Sequence, residues 1–287
     1  MTTQIRAAVP ADAEACGRIM YEAFAAVAHR HGFEPDFPSA EAAIGLAAAL
    51  TRSGTTYGVV AERDGRIIGS NFLKESDSVR GVGPITVAPG FQGDGTGRRL
   101  MQAVIERGNG ADSVRLLQDG FNMGSLGLYA SLGFAVREPV VVMAGTPDGK
   151  AKGDVEVRPL LEEDIDACDA LCKRVHGFSR RSELVDAVRD LAPMVAVREG
   201  RVVAYATEPL RWIISHAVAA TTDDMEELLL GAARLAGAPL SFLLPTRQEK
   251  LFRRCLALGL RATKPMTLMT RGRYDTPAGV YMPSVFY

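Results

Sequence analysis

The stretch Val87-Ala88-Pro89-Gly90-Phe91-Gln92-Gly93-Asp94-Gly95-Thr96-Gly97-Arg98 has the residue types of an anion cradle. An extended run over 82–88 leads into it, and a helix with Leu100, Met101, Val104 and Ile105 on one face follows. Backbone N–H groups at a helix start point the same way, the helix dipole adds positive potential, and glycines let a diphosphate approach closely. Arg98 and Arg99 put two cations in the first turn, where cations are unfavourable unless an anion is bound. Two common phosphate patterns do not fit. A P-loop ends in Gly-Lys-Ser/Thr, whereas Gly97 is followed by Arg98-Arg99. A dinucleotide fingerprint needs G-x-G-x-x-G, whereas the spacing is Gly93-x-Gly95-x-Gly97.

A third pattern fits at every position: Gln/Arg-x-x-Gly-x-Gly/Ala after a strand ending in Val-x-Pro, carried by Val87, Pro89, Gln92, Gly95 and Gly97. Downstream, Asn122-Met123-Gly124-Ser125-Leu126-Gly127-Leu128-Tyr129-Ala130-Ser131-Leu132-Gly133-Phe134 follows Asn-x-x-Ser-x-x-Leu-Tyr-x-x-Leu-Gly-Phe. The two segments, in this order and at this distance, resemble the hallmarks of the GNAT superfamily of N-acetyltransferases. The resemblance covers roughly 80–145. It implies a mixed sheet splayed between its central strands, with acetyl-CoA as cosubstrate in the gap and no metal. It assigns the diphosphate to Gln92, Gly93, Asp94, Gly95, Thr96, Gly97 and Arg98. It assigns the pantetheine amides to the backbone of Ile85, Thr86 and Val87. Asn122 and Ser125 either touch the cofactor or cap the helix start.

Amine acetylation needs a neutral amine, help for the oxyanion and a proton for the leaving thiolate. Tyr129 is a phenol on the helix after the cofactor loop, and the matching Tyr of relatives sits near the sulfur; a core aromatic is the alternative. Many relatives carry a Glu on the strand before the loop, but residues 81–86 hold no carboxylate. Glu75 is therefore the first choice for general base, against the reading of a surface acid. His29, His31, Glu34 and Asp36 lie in an early segment that lines the acceptor site in relatives. The apolar C-terminus should dock, either on its own domain or across to the acceptor pocket, where the carboxylate of Tyr287 would replace the missing base.

These residues need elements to position them. Strands are expected over 4–9, 57–63, 66–74, 82–88, 113–118 and 134–143, with Asp64-Gly65 as a hairpin turn. Residues 145–154 (GTPDGKAKGD) read as a linker. After it the pattern restarts. Arg158 then Asp164 echoes Arg6 then Asp12, 194–207 echoes 57–70, and 256–259 echoes 130–133. The second copy reads Ala219-Ala220-Thr221-Thr222-Asp223-Asp224 where the first has its glycine loop, and Cys255 takes the place of Tyr129. The expected architecture is α+β: two tandem GNAT-like domains, each a splayed mixed sheet flanked by helices. Residues 1–145 form the catalytic domain, and 154–287 form a degenerate domain with a C-terminal tail.

The 287 residues carry 33 Lys and Arg against 34 Asp and Glu, a net charge of −1 that leaves no electrostatic footprint for nucleic acid or an anionic membrane. Four scattered cysteines make no disulfide framework and point to the reducing cytoplasm. Cys168, Cys172 and His176 form a stripe on one helix, read as reduced core cysteines because no further ligand lies nearby in sequence. The expected activity is acetyl transfer from acetyl-CoA to a primary amine, of a small molecule, in a ternary complex. The alternatives are a protein amine as acceptor, or a non-catalytic acyl-CoA sensor.

Overall fold

The computed structural model describes residues 3–287, which divide into two compact units. The first unit is residues 3–116 with 121–135, and the second is 117–120 with 136–287. Unit one runs β1 (Gln4–Ala7), α1 (Ala13–Arg30), α2 (Ala40–Arg52), β2 (Thr56–Arg63), β3 (Arg66–Lys74), β4 (Val79–Val82), β5 (Thr86–Val87), α3 (Thr96–Arg107), β6 (Ser113–Asp119) and α4 (Met123–Ser131). The strands lie in the order β1-β2-β3-β4-β6, and β5 pairs with β3. Residues 68–73 of β3 are buried without a break, as expected of a strand covered on both faces; α1 and α3 both pack on it. α3 turns Leu100, Met101, Val104 and Ile105 inward.

Unit two takes in the last residues of β6 and then β7 (Ala135–Gly145), β8 (Glu156–Pro159), α5 (Ile165–His176), α6 (Arg181–Asp190), β9 (Met194–Arg198), β10 (Arg201–Ala206), β11 (Ala217–Ala219), α7 (Thr222–Ala236), β12 (Leu240–Pro245), α8 (Glu249–Ala257), β13 (Arg261–Gly272) and β14 (Val280–Met282). One sheet has the order β14-β11-β10-β9-β8, and β7 lies between β12 and β13.

The internal repeat is visible in small details. Asp12 accepts two hydrogen bonds from Arg6 (2.8 and 2.9 Å) and one from the Val9 N–H (2.9 Å). Asp164 does the same with Arg158 (2.7 and 2.8 Å) and the Leu161 N–H (2.9 Å). Both hairpin turns put two successive residues at positive φ, Asp64 (+52°) and Gly65 (+75°), then Glu199 (+49°) and Gly200 (+73°). Strongly twisted two-residue hairpins require that backbone, and glycine adopts it without steric cost.

Two details depart from the sequence expectation. The run over 82–88 is broken into β4 and β5, because Gly83 sits at φ +140° and Pro84 has no N–H for the ladder. The compact units also cut the chain elsewhere than at the 145–154 linker. β7 falls in the second unit, where six of its residues pair antiparallel with β12, from Leu240↔Gly145 to Pro245↔Val140.

Candidate active site

The glycine loop is a shaped turn. Gly93 and Gly95 take φ +86° and +89°, and Gly95 is the N-cap of α3. The first bond within the helix backbone runs from the Arg99 N–H to the Gly95 carbonyl. The N–H groups before it have no helical acceptor, which leaves those of Gly97 and Arg98 directed out of the helix start. The Thr96 N–H is taken by the Asp94 carboxylate at 3.0 Å. Asp94 also pairs with Arg63, and hydrogen bonds from Thr96 and Arg63 hold its carboxyl down to about 2. Its side chain therefore braces the loop. Gln92 Nε2 donates to the Val87 carbonyl at 3.0 Å and ties the loop's start to its end.

The sheet opens beside this loop. β4 pairs with β6 in parallel only from Val79↔Ser113 to Gly81↔Arg115, and among the described residues β5 pairs with β3 alone. Gly69 faces Val87 and Ser70 faces Thr86, while the Ala88 N–H donates to the Ile68 carbonyl. Alternation along an antiparallel pair then turns the N–H and C=O of Thr86 toward β3 and those of Val87 away from it, where Gln92 takes the carbonyl and the N–H faces the open edge. Of the expected Ile85, Thr86 and Val87 amides, that of Thr86 is corrected: β3 uses it. The Thr86 hydroxyl lies 3.3 Å from that of Ser70.

α4 is tied to the loop just beyond Tyr129, where Arg98 donates to Ser131 Oγ at 2.8 Å. Tyr129 is buried, with its ring edge-on to Phe134 at 6.4 Å. Asn122 Oδ1 accepts from the Ser125 N–H (3.1 Å) and Ser125 Oγ donates to the Asn122 carbonyl (2.9 Å), so both side chains cap α4. The early segment arrives beside the same helix. Phe33 stacks on Phe121 at 4.4 Å, and His31 lies 5.0 Å from that ring. These two phenylalanines were missed by sequence reasoning, although an aromatic immediately before the Asn122 cap was a usable signal. His29 lies in the last turn of α1, and Glu34 is exposed in the segment that follows, with Asp36 half-buried.

Two other candidates are corrected. Glu75 accepts two hydrogen bonds from Arg107, at 2.7 and 2.9 Å, and this ion pair lowers its pKa. Arg107 ends the twelve-residue α3, about 17 Å along the axis from the glycine loop. Glu75 is thus engaged by Arg107 and weakened as a base. Tyr287 packs its ring near His176, Phe178 and Arg180, all in the second unit, so it belongs to that unit's interior and not to the acceptor segment.

The second copy has no equivalent opening. β11, which like β5 follows a hairpin and precedes a helix, pairs with β10 on one edge (Ala206↔Ala217, Ala204↔Ala219). On its other edge it pairs with β14, from Ala217↔Met282 to Ala219↔Val280. The start of α7 is acidic. Asp223 is held well below the usual carboxylate range by Lys152 and Arg254, and Asp224 bonds Arg198. Cys255 is buried, and its thiol is pushed up to about 12 by burial.

Comparison with known proteins agrees with this geometry. Residues 19–134 match the acetyltransferase (GNAT) family. A mycothiol acetyltransferase from Thermomonospora curvata is 41% identical over 91 residues, which are 31% of this chain and 30% of that protein. The match thus spans about a third of the relative's length. A Pyrococcus horikoshii protein assigned as an acetyltransferase superposes with a TM-score of 0.75 at 18% identity, over 97% of this chain and 94% of that one. A tandem GNAT protein from the clavulanic acid biosynthesis pathway superposes with a TM-score of 0.62 at 14% identity, over 96% and 100%. These two establish the fold. Within the chain, the family resemblance is carried by residues 19–134, which include both the glycine loop and Tyr129. Among the described residues no helix is long and apolar enough to cross a membrane.

Proposed function

We propose that this protein moves an acetyl group from acetyl-CoA to a primary amine of a small molecule, with residues 1–145 as the catalytic domain and 154–287 as a degenerate copy. The observation that carries this is the hydrogen bond from Arg98, in the first turn of α3, to Ser131 on the helix of Tyr129. The phenol thus lies on a helix tied directly to the loop that would cradle the diphosphate. The Gly97 and Arg98 N–H groups hold the diphosphate, and the open edge of β5 receives the amide-bearing arm. The neutral amine nitrogen attacks the thioester carbonyl, the carbon–sulfur bond breaks, and Tyr129 gives its proton to the departing thiolate. The amine proton leaves to water, since Glu75 is occupied by Arg107. The segment with His29, His31, Phe33, Glu34 and Asp36 faces the acceptor; its mixture of aromatic and acidic residues suits a small cationic amine. The four free, buried cysteines suit the reducing cytoplasm.

The test is release of free CoA thiol when acetyl-CoA is mixed with a panel of small amines, peptides and lysine-bearing proteins. Turnover with a small amine supports the reading, and turnover with peptides alone redirects it to a protein acceptor. Tight acetyl-CoA binding with no turnover on any acceptor makes the chain a sensor.

A further inference from the structure

Cys172 and His176 stand one turn apart on α5, and His216 enters from the residue before β11, forty positions along the chain. All three are buried, and a ligand atom of each lies within 4.8 Å of the others. We propose that Cys172, His176 and His216 form a structural site for one zinc ion inside the second unit, at a place that takes no part in acetyl transfer. The nearer pair carries the geometry. The Nε2 atoms of His176 and His216 are 3.4 Å apart. A good hydrogen bond from a ring N–H is about 2.9–3.0 Å long. Two imidazoles on one tetrahedral zinc, each about 2.0–2.1 Å from it, have nitrogens about 3.3–3.4 Å apart.

The surroundings fit the same ion. His216 is held at its backbone by Thr207, which accepts from its N–H at 2.9 Å and donates to its carbonyl at 2.8 Å. Its second ring nitrogen, Nδ1, faces Glu183 at 3.8 Å, the side on which metal-bound histidines commonly meet a carboxylate. Zinc binding at Cys172 breaks the S–H bond, forms a sulfur–zinc bond and releases one proton to water. The cation beside the site, Arg180, is paired with Glu183. The rings of Tyr205 and Tyr281 lie against His216 and His176, so the ion is walled in and serves to tie α5 to the strand start at β11.

The full chain, stripped with chelator, is titrated with Co2+ as the spectroscopic stand-in. One equivalent should bring on tetrahedral visible bands and a thiolate-to-cobalt charge-transfer band. That band should vanish in Cys172→Ser and persist in Cys168→Ala, a neighbouring buried cysteine outside the cluster. Zinc should also raise Tm of the full chain, and chelator should reverse the rise. Because Cys172→Ser could fail to fold, X-ray absorption of the zinc-loaded wild type provides a reading without any variant: one sulfur, two imidazole nitrogens and one water oxygen are expected. No cobalt bands from the folded wild type, or a zinc shell without sulfur, overturns the site and leaves a hydrogen-bonded imidazole pair.

Discussion

Arg63, the last residue of β2, holds Asp94 in the glycine loop, and Asp94 in turn receives the Thr96 N–H. A residue of the hairpin thus sets the shape of the turn that opens α3. Asp94→Ala removes the brace while leaving the backbone donors. The loss of one or two exposed hydrogen bonds should weaken acetyl-CoA by about 3–10-fold. The native carboxyl is depressed to about 2, so the brace is fully present above the ordinary carboxylate pKa and is lost only as pH falls through about 2. The penalty of Asp94→Ala, read by calorimetry, should therefore be constant across the neutral range. A penalty that changes there would mean that another group supplies the brace.

Gly95→Glu should damage binding far more. The position holds φ +89°, where a side chain costs about 1–2 kcal/mol, and the new carboxylate meets the diphosphate. The like charge at the diphosphate should lower acetyl-CoA affinity by at least roughly tenfold, while the strain lowers stability. The melting temperature should show that the unit still folds. Unchanged affinity would place the diphosphate elsewhere.

Tyr129→Phe keeps the ring that packs edge-on to Phe134 and removes only the acidic proton. Turnover should fall by roughly 10²–10⁴-fold, the range of general acid catalysis, with acetyl-CoA affinity intact. A near-normal kcat on a good acceptor would make Tyr129 a packing residue.

Glu75→Gln separates the two roles considered for that residue. Its native pKa is lowered by Arg107, so its contribution to stability exists above the ordinary Glu pKa and is lost on acidification below it. The variant should melt earlier at neutral pH, with the difference shrinking in acid, and should turn over as fast as the parent. A large drop in kcat with a shifted pH profile would restore Glu75 as the base.

One acetyl-CoA should bind per chain. β14 occupies the edge of β11 that corresponds to the open edge of β5, and Asp223 and Asp224 stand where the diphosphate would. A titration endpoint at two equivalents would refute this.

Much of the site was legible because its signals are local. Gln92 to Arg98 and Asn122 to Phe134 are continuous runs in which each residue type answers to a nearby backbone need. The hairpins at Asp64-Gly65 and Glu199-Gly200 were legible for the same reason. What escaped depends on partners distant in the chain. Glu75 looked available until Arg107 met it, Phe33 gained meaning only from Phe121, and the stripe of Cys172 and His176 lacked His216. The pairing of β14 with β11 joins residues more than sixty positions apart, and no composition or period encodes such a choice.

The position of β7 between β12 and β13 has a consequence for the order of synthesis. The strand leaves the ribosome early, yet its sheet partners are not made until residues 240–272 emerge. During that interval Val140, Val141, Val142 and Met143 lie on a strand with two unpaired edges, a template for pairing with other nascent chains. The charged residues Arg137 and Glu138 just ahead of this run, and the glycines and lysines just after it, act as gatekeepers against that encounter. A chain terminated after Gly145 keeps the whole glycine loop and Tyr129 but carries this strand with no partner, so it should aggregate on expression, whereas the full-length chain completes the sheet.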